Sequence, residues 1–316
     1  MKTLRFHDYG EPADVLRLEN VAVPRPGAGQ IRVRVHACGL NPADWYLCRG
    51  LFPGDLPRGI GLDVSGTVEA VGEGVTDVRV GQPVLGVPDY KGFPSAGASE
   101  EAVLAVWTPV PQGLDLVNAA ALPMAIETAC RCLDIVGVTS GQTLLVYGAG
   151  TVIGFAAVQM ALMRGTQVIA AAGDAFAGRL RALGAEVTSY GDGMVERVLE
   201  IASGAPDLIF DAGPISGVLP DLVRIAGGNG SHVLTVSNHG PAAEKLGVRT
   251  SFESGLRYDV LAHFAKLAGE GRFTVPVART FPLEDWREAL DLSLSGHAHG
   301  KLILFPEPPG TNTTSR

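Results

Sequence analysis

The stretch Leu144-Leu145-Val146-Tyr147-Gly148-Ala149-Gly150-Thr151-Val152-Ile153-Gly154 carries the spacing best suited to chemistry. An apolar strand runs into a glycine turn and then into an apolar helix. Glycines let the backbone approach a pyrophosphate, and free N–H groups at a helix start stabilise its charge. The strict spacing G-x-G-x-x-G is missed, because Ile153 stands where the third glycine would fall. A tight β–α turn without ligand is the competing reading.

Other reactive side chains form no recognisable motif. Cys38, Cys48, Cys130 and Cys132 have spacings that match no zinc pattern, and they are too few to staple a chain of 316 residues. A reducing cytoplasm is the expectation. His297 and His299 flank a turn beside Gly300-Lys301, while His7 and His36 lie on predicted strands. None joins a carboxylate or cysteine motif, so they read as surface or structural groups. A nucleophile elbow G-x-S-x-G is absent, which removes a Ser-His-Asp hydrolase.

Two kinds of texture must position the glycine turn. Up to about residue 115 the chain reads as short strands and turns. Ile31-Arg32-Val33-Arg34-Val35-His36 alternates with period two, and Val64 to Val71 continues the strand signal. From about Asn118 strands and helices alternate. Met124–Leu133 is a predicted helix, Thr143–Tyr147 a strand, 154–164 a helix, 167–172 a strand, and 175–183 a helix closed by Gly184. Leu208–Asp211 and residues 232–236 add strands. Such alternation predicts a parallel sheet covered by helices on both faces. Residues 275–281 and 302–305 read as strands returning to the first domain, and the Pro-, Gly- and Thr-rich tail from Pro306 reads as frayed.

Composition narrows the function classes. The chain is 46% hydrophobic and 18% charged, which excludes general disorder. A net charge of −8, with 25 basic residues scattered and without a run, offers no footprint for nucleic acid. Residues 142–163 lack charge over a membrane-spanning length, but Gly148, Gly150 and Gly154 break them into strand, turn and helix. The start MKTLRFHDYG is charged and lacks the apolar core of a signal peptide. A small-molecule substrate is expected, with no nucleic-acid or membrane partner.

Beyond the glycine turn, several motifs recur in order: Arg5-Phe6-His7-Asp8-Tyr9-Gly10, Gly39-Leu40-Asn41-Pro42-Ala43-Asp44-Trp45, Asp63-Val64-Ser65-Gly66-Thr67-Val68, Ala120-Ala121-Leu122-Pro123 and Gly300-Lys301-Leu302-Ile303-Leu304. With them the chain resembles the medium-chain dehydrogenase/reductase superfamily over nearly its full length, specifically the zinc-free quinone oxidoreductase-like branch. The resemblance implies an α/β fold: a β-rich GroES-like catalytic domain (residues 1–120 and 265–316) and a Rossmann dinucleotide-binding domain, a doubly wound parallel sheet (residues 121–264). Zinc alcohol dehydrogenases of the superfamily have cysteine where Asn41 stands and histidine where Leu62 stands. Neither an amide nor a leucine is a plausible Zn²⁺ ligand. No metal is expected, and hydride delivery to a quinone or enone becomes the natural reaction.

The resemblance also assigns residues. It places Asn41, Asp44 and Tyr46 beside the nicotinamide. The Asn41 amide could donate to the substrate oxygen as charge develops, and Tyr46, or a water held by it, could protonate the enolate. Asp44 reads equally as a helix-start carboxylate. Tyr90 and Phe93 fall where the substrate pocket is walled. Thr128, Gly148, Gly150, Thr151, Val152, Ile153, Gly154, Gly173, Tyr190 and Ser237 are the implied cofactor residues, with Tyr190 near the adenosine half.

Cofactor choice rests on one absence. NAD enzymes of this fold place a carboxylate about 20 residues after the first glycine. Here the strand ends Val168-Ile169-Ala170-Ala171-Ala172, which favours NADPH, with NADH the alternative. Arg179, Arg181 and Lys301 are the candidates for pairing a 2′-phosphate; Asp174 would repel it if it pointed inward and would be harmless as a helix N-cap. Thr151-Val152 stands where similar enzymes carry two small residues, so a repurposed cyclase, isomerase or binding protein is the second hypothesis. A homodimer is expected by analogy.

Overall fold

The computed structural model describes residues 1–214 and 216–306; the frayed-tail reading from residue 307 onward lies outside them. The chain forms two compact units. One comprises Met1–Met124 and the chain from Leu261, and the other is Ala125–Val260.

In Ala125–Val260 short apolar runs become strands buried on both faces; Leu144, Leu145 and Val146 are fully buried. Six strands line up in the order Glu186–Thr188, Gln167–Ala171, Thr143–Tyr147, Leu208–Asp211, Val233–Thr235 and Arg249–Thr250, every pair parallel. Parallel neighbours need crossovers, and helices such as Val152–Met163, Asp174–Leu183 and Met194–Ile201 supply them. Gly184 closes the second with φ 102°, the left-handed cap that only glycine adopts readily. The result is a doubly wound α/β sheet. Its first strand lies in the middle, between Gln167–Ala171 and Leu208–Asp211, and the chain direction of travel reverses there. That switch point is where such sheets bind ligands.

The other unit is β-rich. Ile31–Leu40 begins with the expected alternation, Ile31, Val33 and Val35 buried and Arg34 and His36 exposed. It pairs antiparallel with Asp63–Val71, which continues to Pro83–Pro88 and Glu101–Pro109. Glu101–Pro109 then returns to pair with Ile31–Leu40 through Ile31 and Leu104, closing a barrel without a free edge between them. Val277–Pro282 and Lys301–Phe305 extend this sheet, and a small sheet of Lys2–Phe6, Leu16–Asn20 and Arg58–Gly59 covers one end. Leu4, Phe6, Trp45 and Ile60 fill the core.

Three local expectations change. The helix expected from Gly154 starts at Val152, because the Thr151 hydroxyl accepts the Gly154 N–H and so caps the turn two residues earlier. Asp174 is not an N-cap: Gly173 holds that position and Asp174 is the first helical residue, with no side-chain cap bond. His7 lies one residue beyond its strand and meets Glu19 at 2.9 Å. Among the described residues no helix is long and apolar enough to cross a membrane; the apolar run at 142–163 is a strand, a turn and a 12-residue helix.

Candidate functional site

In the parallel-sheet unit the glycine turn follows the central strand. Gly148 has φ 77°, and a Cβ there would lie 2.4 Å from the Gly213 nitrogen. At Gly154 a Cβ would stand 2.2 Å from the Gly148 carbonyl oxygen. Gly154 therefore provides the close helix–strand approach that the fingerprint's third glycine provides, one residue later than the strict spacing. Gly150 differs. A Cβ there would meet the Phe176 ring at 3.1 Å and no backbone. No backbone neighbour requires glycine at 150; an approaching phosphate would.

Thr151 narrows this turn less than its size implies. Its hydroxyl takes the Gly154 N–H at 3.0 Å and donates to the Ala212 carbonyl at 3.2 Å, so the side chain is tied into the turn itself. The N–H groups of Val152 and Ile153 remain at the helix start for an outside acceptor. This arrangement fits a dinucleotide pyrophosphate.

Around it the strand ends are braced. Asp211 is fully buried and accepts from Thr235 Oγ1 at 2.7 Å, Asn238 Nδ2 at 2.8 Å and the Gly213 nitrogen at 3.0 Å. Burial pushes its carboxyl pKa up, against the pull of those three donors. Ser237 is exposed just after the same strand end. The Tyr190 ring meets Tyr147 edge-on at 5.2 Å and lies about one contact from Gly173. Arg179 and Arg181 are exposed on the helix after Gly173, with the Arg179 guanidinium 5.8 Å from the Phe176 ring centroid. Thr128 is buried and donates to Glu127 at 3.0 Å, so its hydroxyl proton is already taken.

The β-rich unit holds a buried polar cluster that the sequence did not announce. Lys301, 1% exposed, donates to Asp63 Oδ2 at 2.6 Å and to Asn41 Oδ1 at 2.5 Å. The Asn41 amide nitrogen donates to Asp63 Oδ2 at 3.0 Å, and Asp63 Oδ1 accepts the Met124 N–H at 2.8 Å. Strand register creates the meeting: Gly39 pairs with Asp63 on one side and Ile303 on the other. A Cβ on Gly39 would lie 2.8 Å from Lys301 Cε, so the glycine clears the path of the lysine. Lys301 is thus no surface partner for a 2′-phosphate. Its charge is already neutralised in the interior, a correction to the sequence reading.

Asn41 and Asp44 open the helix Pro42–Cys48. Asp44 is fully buried and accepts N–H bonds from Asn41 at 2.8 Å, Gly61 at 2.6 Å and Leu62 at 3.1 Å. Burial pushes its pKa up to about 7, opposed by the Asn41 and Gly61 donors. These bonds make Asp44 the tie between the helix start and the following strand. Asn41 is 6% exposed, with its amide nitrogen donating to Asp63 and, at a long 3.5 Å, to the Gly39 carbonyl; only that second, weakly held hydrogen can serve a substrate oxygen. Tyr46 is 51% exposed, with the Arg49 guanidinium 5.7 Å from its ring. Tyr90 is half-buried beside Arg58 and Lys91, and Phe93 is half-buried.

At the zinc-ligand positions the donor chemistry does not fit the metal. Asn41 offers an amide oxygen bonded to an ammonium, and Leu62 offers hydrocarbon. A lone lysine heading the apolar strand Lys301-Leu302-Ile303-Leu304-Phe305, and an aspartate heading another, were the available signals for the cluster.

Comparison with known proteins follows this geometry. Residues 27–106 match the alcohol dehydrogenase GroES-like domain family, and residues 183–304 the zinc-binding dehydrogenase family. The chain is 36% identical over 179 residues to quinone oxidoreductase of Rattus norvegicus, covering 55% of this chain and 53% of that protein. It therefore spans about half the length of that relative. It is 28% identical over 325 residues to 2-methylene-furan-3-one reductase of Solanum lycopersicum, covering 98% of this chain and 80% of the relative. Among solved structures, the quinone oxidoreductase from Coxiella burnetii superposes with a TM-score of 0.81 at 26% identity, over 97% of this chain and 99% of that one.

Proposed function

The chain belongs to the medium-chain dehydrogenase/reductase superfamily, and from that premise we propose a zinc-independent reductase of quinones or α,β-unsaturated carbonyl compounds, using NADPH in preference to NADH. One observation carries the metal-free reading: the residue at a zinc-ligand position, Asn41, has its oxygen bonded to the Lys301 ammonium at 2.5 Å. Similarity to a quinone oxidoreductase and to an enone reductase supports the substrate class.

A bound nicotinamide cofactor would supply the hydride. The chain's own residues bind and position. Val152 and Ile153 present N–H groups to the pyrophosphate, Gly150 leaves the approach open, and Tyr190 lies at the adenosine half. Lys301 fixes the Asn41 amide oxygen, and the amide hydrogen held only weakly by the Gly39 carbonyl, at 3.5 Å, can instead stabilise negative charge on a substrate oxygen. Tyr46, exposed and carrying a phenolic proton, is the group to protonate the enolate. Asp44 holds backbone rather than substrate. The absence of a carboxylate at Ala172 favours NADPH, and Arg179 and Arg181 are the cations left to meet its 2′-phosphate. Because Thr151 is tied into the turn, the redox reading is preferred to a repurposed cyclase, isomerase or binding protein. The proposal extends to a cytoplasmic homodimer acting on a small molecule without nucleic-acid or membrane partners, which light scattering after size exclusion checks for oligomeric state.

The test follows NADPH and NADH consumption with 1,4-naphthoquinone and with a simple enal, before and after chelator treatment. Turnover that survives chelation, with NADPH the better donor, is the expected result. Activity that disappears with the chelator and returns with zinc would overturn it.

A further inference from the structure

Two cations of the β-rich unit flank the Tyr90 ring: Arg58, which opens the short strand Arg58–Gly59 after loop 51–57, and Lys91, within residues 89–93. Arg58 is 3% exposed, and its guanidinium donates to the Phe52 carbonyl at 2.6 Å. Among the described residues neither Arg58 nor Lys91 has a carboxylate at ion-pair distance, whereas the nearby Arg49 pairs with Glu11 at 2.7 Å. The adjacent acid, Asp89, has its two oxygens taken by Gln30 at 2.9 Å and the Gly92 nitrogen at 2.9 Å. The Phe52 carbonyl satisfies one guanidinium N–H but carries no formal charge, so it is not a counter-ion.

The surroundings form a closed ring of contacts. Arg58 stands 5.8 Å from the Tyr90 ring centroid, and Lys91 Nζ stands 5.8 Å from Tyr90 and 5.9 Å from Phe52. At those distances, near the outer limit, cation–π attraction is weak and does not replace an anion. Phe52 has φ 53°, a left-handed conformation uncommon for a bulky residue, and its side chain is 42% exposed. The bond from Arg58 to its carbonyl supports that conformation, and such outliers cluster at ligand clamps.

We propose that the Arg58–Lys91 pair, with the Tyr90 and Phe52 rings, recognises an acidic group on a planar conjugated substrate, so that the preferred substrate of the reductase is an anionic quinone or enone. The rings take the flat apolar face, and the two cations take the carboxylate, sulfonate or phenolate at its edge. This inference rests on the reductase reading above.

The probes are 1,4-naphthoquinone-2-sulfonate and uncharged 1,4-naphthoquinone, and the readout is the ratio of their kcat/KM values in the wild type and in Lys91→Glu and Lys91→Arg. Taking the ratio within each protein cancels the intrinsic reactivity of the two quinones. The inference expects Lys91→Glu to lower the ratio at least tenfold, Lys91→Arg to retain it, and rising salt to weaken the sulfonate selectively. A ratio unchanged within twofold in Lys91→Glu, with neutral quinone still reduced, overturns the anion site and leaves the reductase standing. If the wild type reduces neither probe, the reductase reading falls. The site is then decided by tryptophan-fluorescence titration: tighter binding of the sulfonate, lost in Lys91→Glu, sustains it, and equal binding of both probes overturns it.

Discussion

The glycine turn at 148–154 and the Asn41–Asp63–Lys301 cluster solve opposite problems. The turn is specified by backbone: Gly148 and Gly154 stand where Cβ atoms would strike carbonyls or amides, and its polar groups are N–H groups already present in any chain. The cluster is specified by side chains that lie 238 residues apart and meet only when three strands align. A local motif tolerates a misplaced letter, as Gly154 does by making the third-glycine contact from a shifted position. A long-range charge cluster tolerates almost nothing, because each buried member answers another.

That contrast can be broken most sharply at Lys301. Lys301→Met leaves the Asp63 carboxylate buried without its ammonium, and urea unfolding should show a loss of about 3–5 kcal/mol. Replacing both partners with apolar residues, Lys301→Met with Asp63→Leu, should recover much of that loss, since neither charge is then stranded.

Next in size is Gly154→Ala. The added methyl group falls 2.2 Å from the Gly148 oxygen, so the helix must move away from the strand. A destabilisation of about 1–3 kcal/mol is expected from such overpacking, with weaker cofactor binding alongside it.

Asp44 gives a pH signature for the β-rich unit. Its folded pKa, about 7, lies above the ordinary 3.8. Below the unfolded value both states hold the proton and no penalty arises. As pH rises from about 4 to 7 the unfolded state ionises first, so folding loses stability over that window. The thermal midpoint of the wild type should therefore fall relative to Asp44→Asn as pH is raised from 4 to 7. A difference that grows in the other direction would mean that the three N–H donors outweigh burial.

The smallest effect belongs to Thr151→Ala. It removes the cap on Gly154 and should cost about 1 kcal/mol in thermal unfolding, while cofactor affinity changes little, because the hydroxyl faces its own turn.

What the sequence made legible follows the same division. The strand Thr143–Tyr147 and the helix Asp174–Leu183 with Gly184 at its end were readable within a residue, because apolar period and glycine caps are local signals. The alternation in Ile31–Leu40 was readable for its first six residues; its second half is buried on both faces and breaks the period. The small sheet formed by Lys2–Phe6 with Leu16–Asn20 carried no such punctuation. Lys301 reads in the sequence as a candidate 2′-phosphate partner, since a Gly-Lys pair beside a turn gives no local sign that the residue opens an interior strand. Asp63 was read only as part of a motif. Asp211, which braces the strand ends beside the glycine turn, was read only as the end of its strand, because Thr235 and Asn238 reach it from another crossover.

Whether the turn at 148–154 holds a dinucleotide pyrophosphate is decided by titrating NADPH into the wild type and Gly150→Val while following protein fluorescence, with circular dichroism confirming that both are folded. A Cβ at 150 meets a side-chain ring rather than backbone, so the fold should survive while the branched side chain obstructs the phosphate path. Saturable NADPH binding by the wild type and none by folded Gly150→Val is the expected result. Equal affinity in the two proteins would mean that this turn does not hold the pyrophosphate.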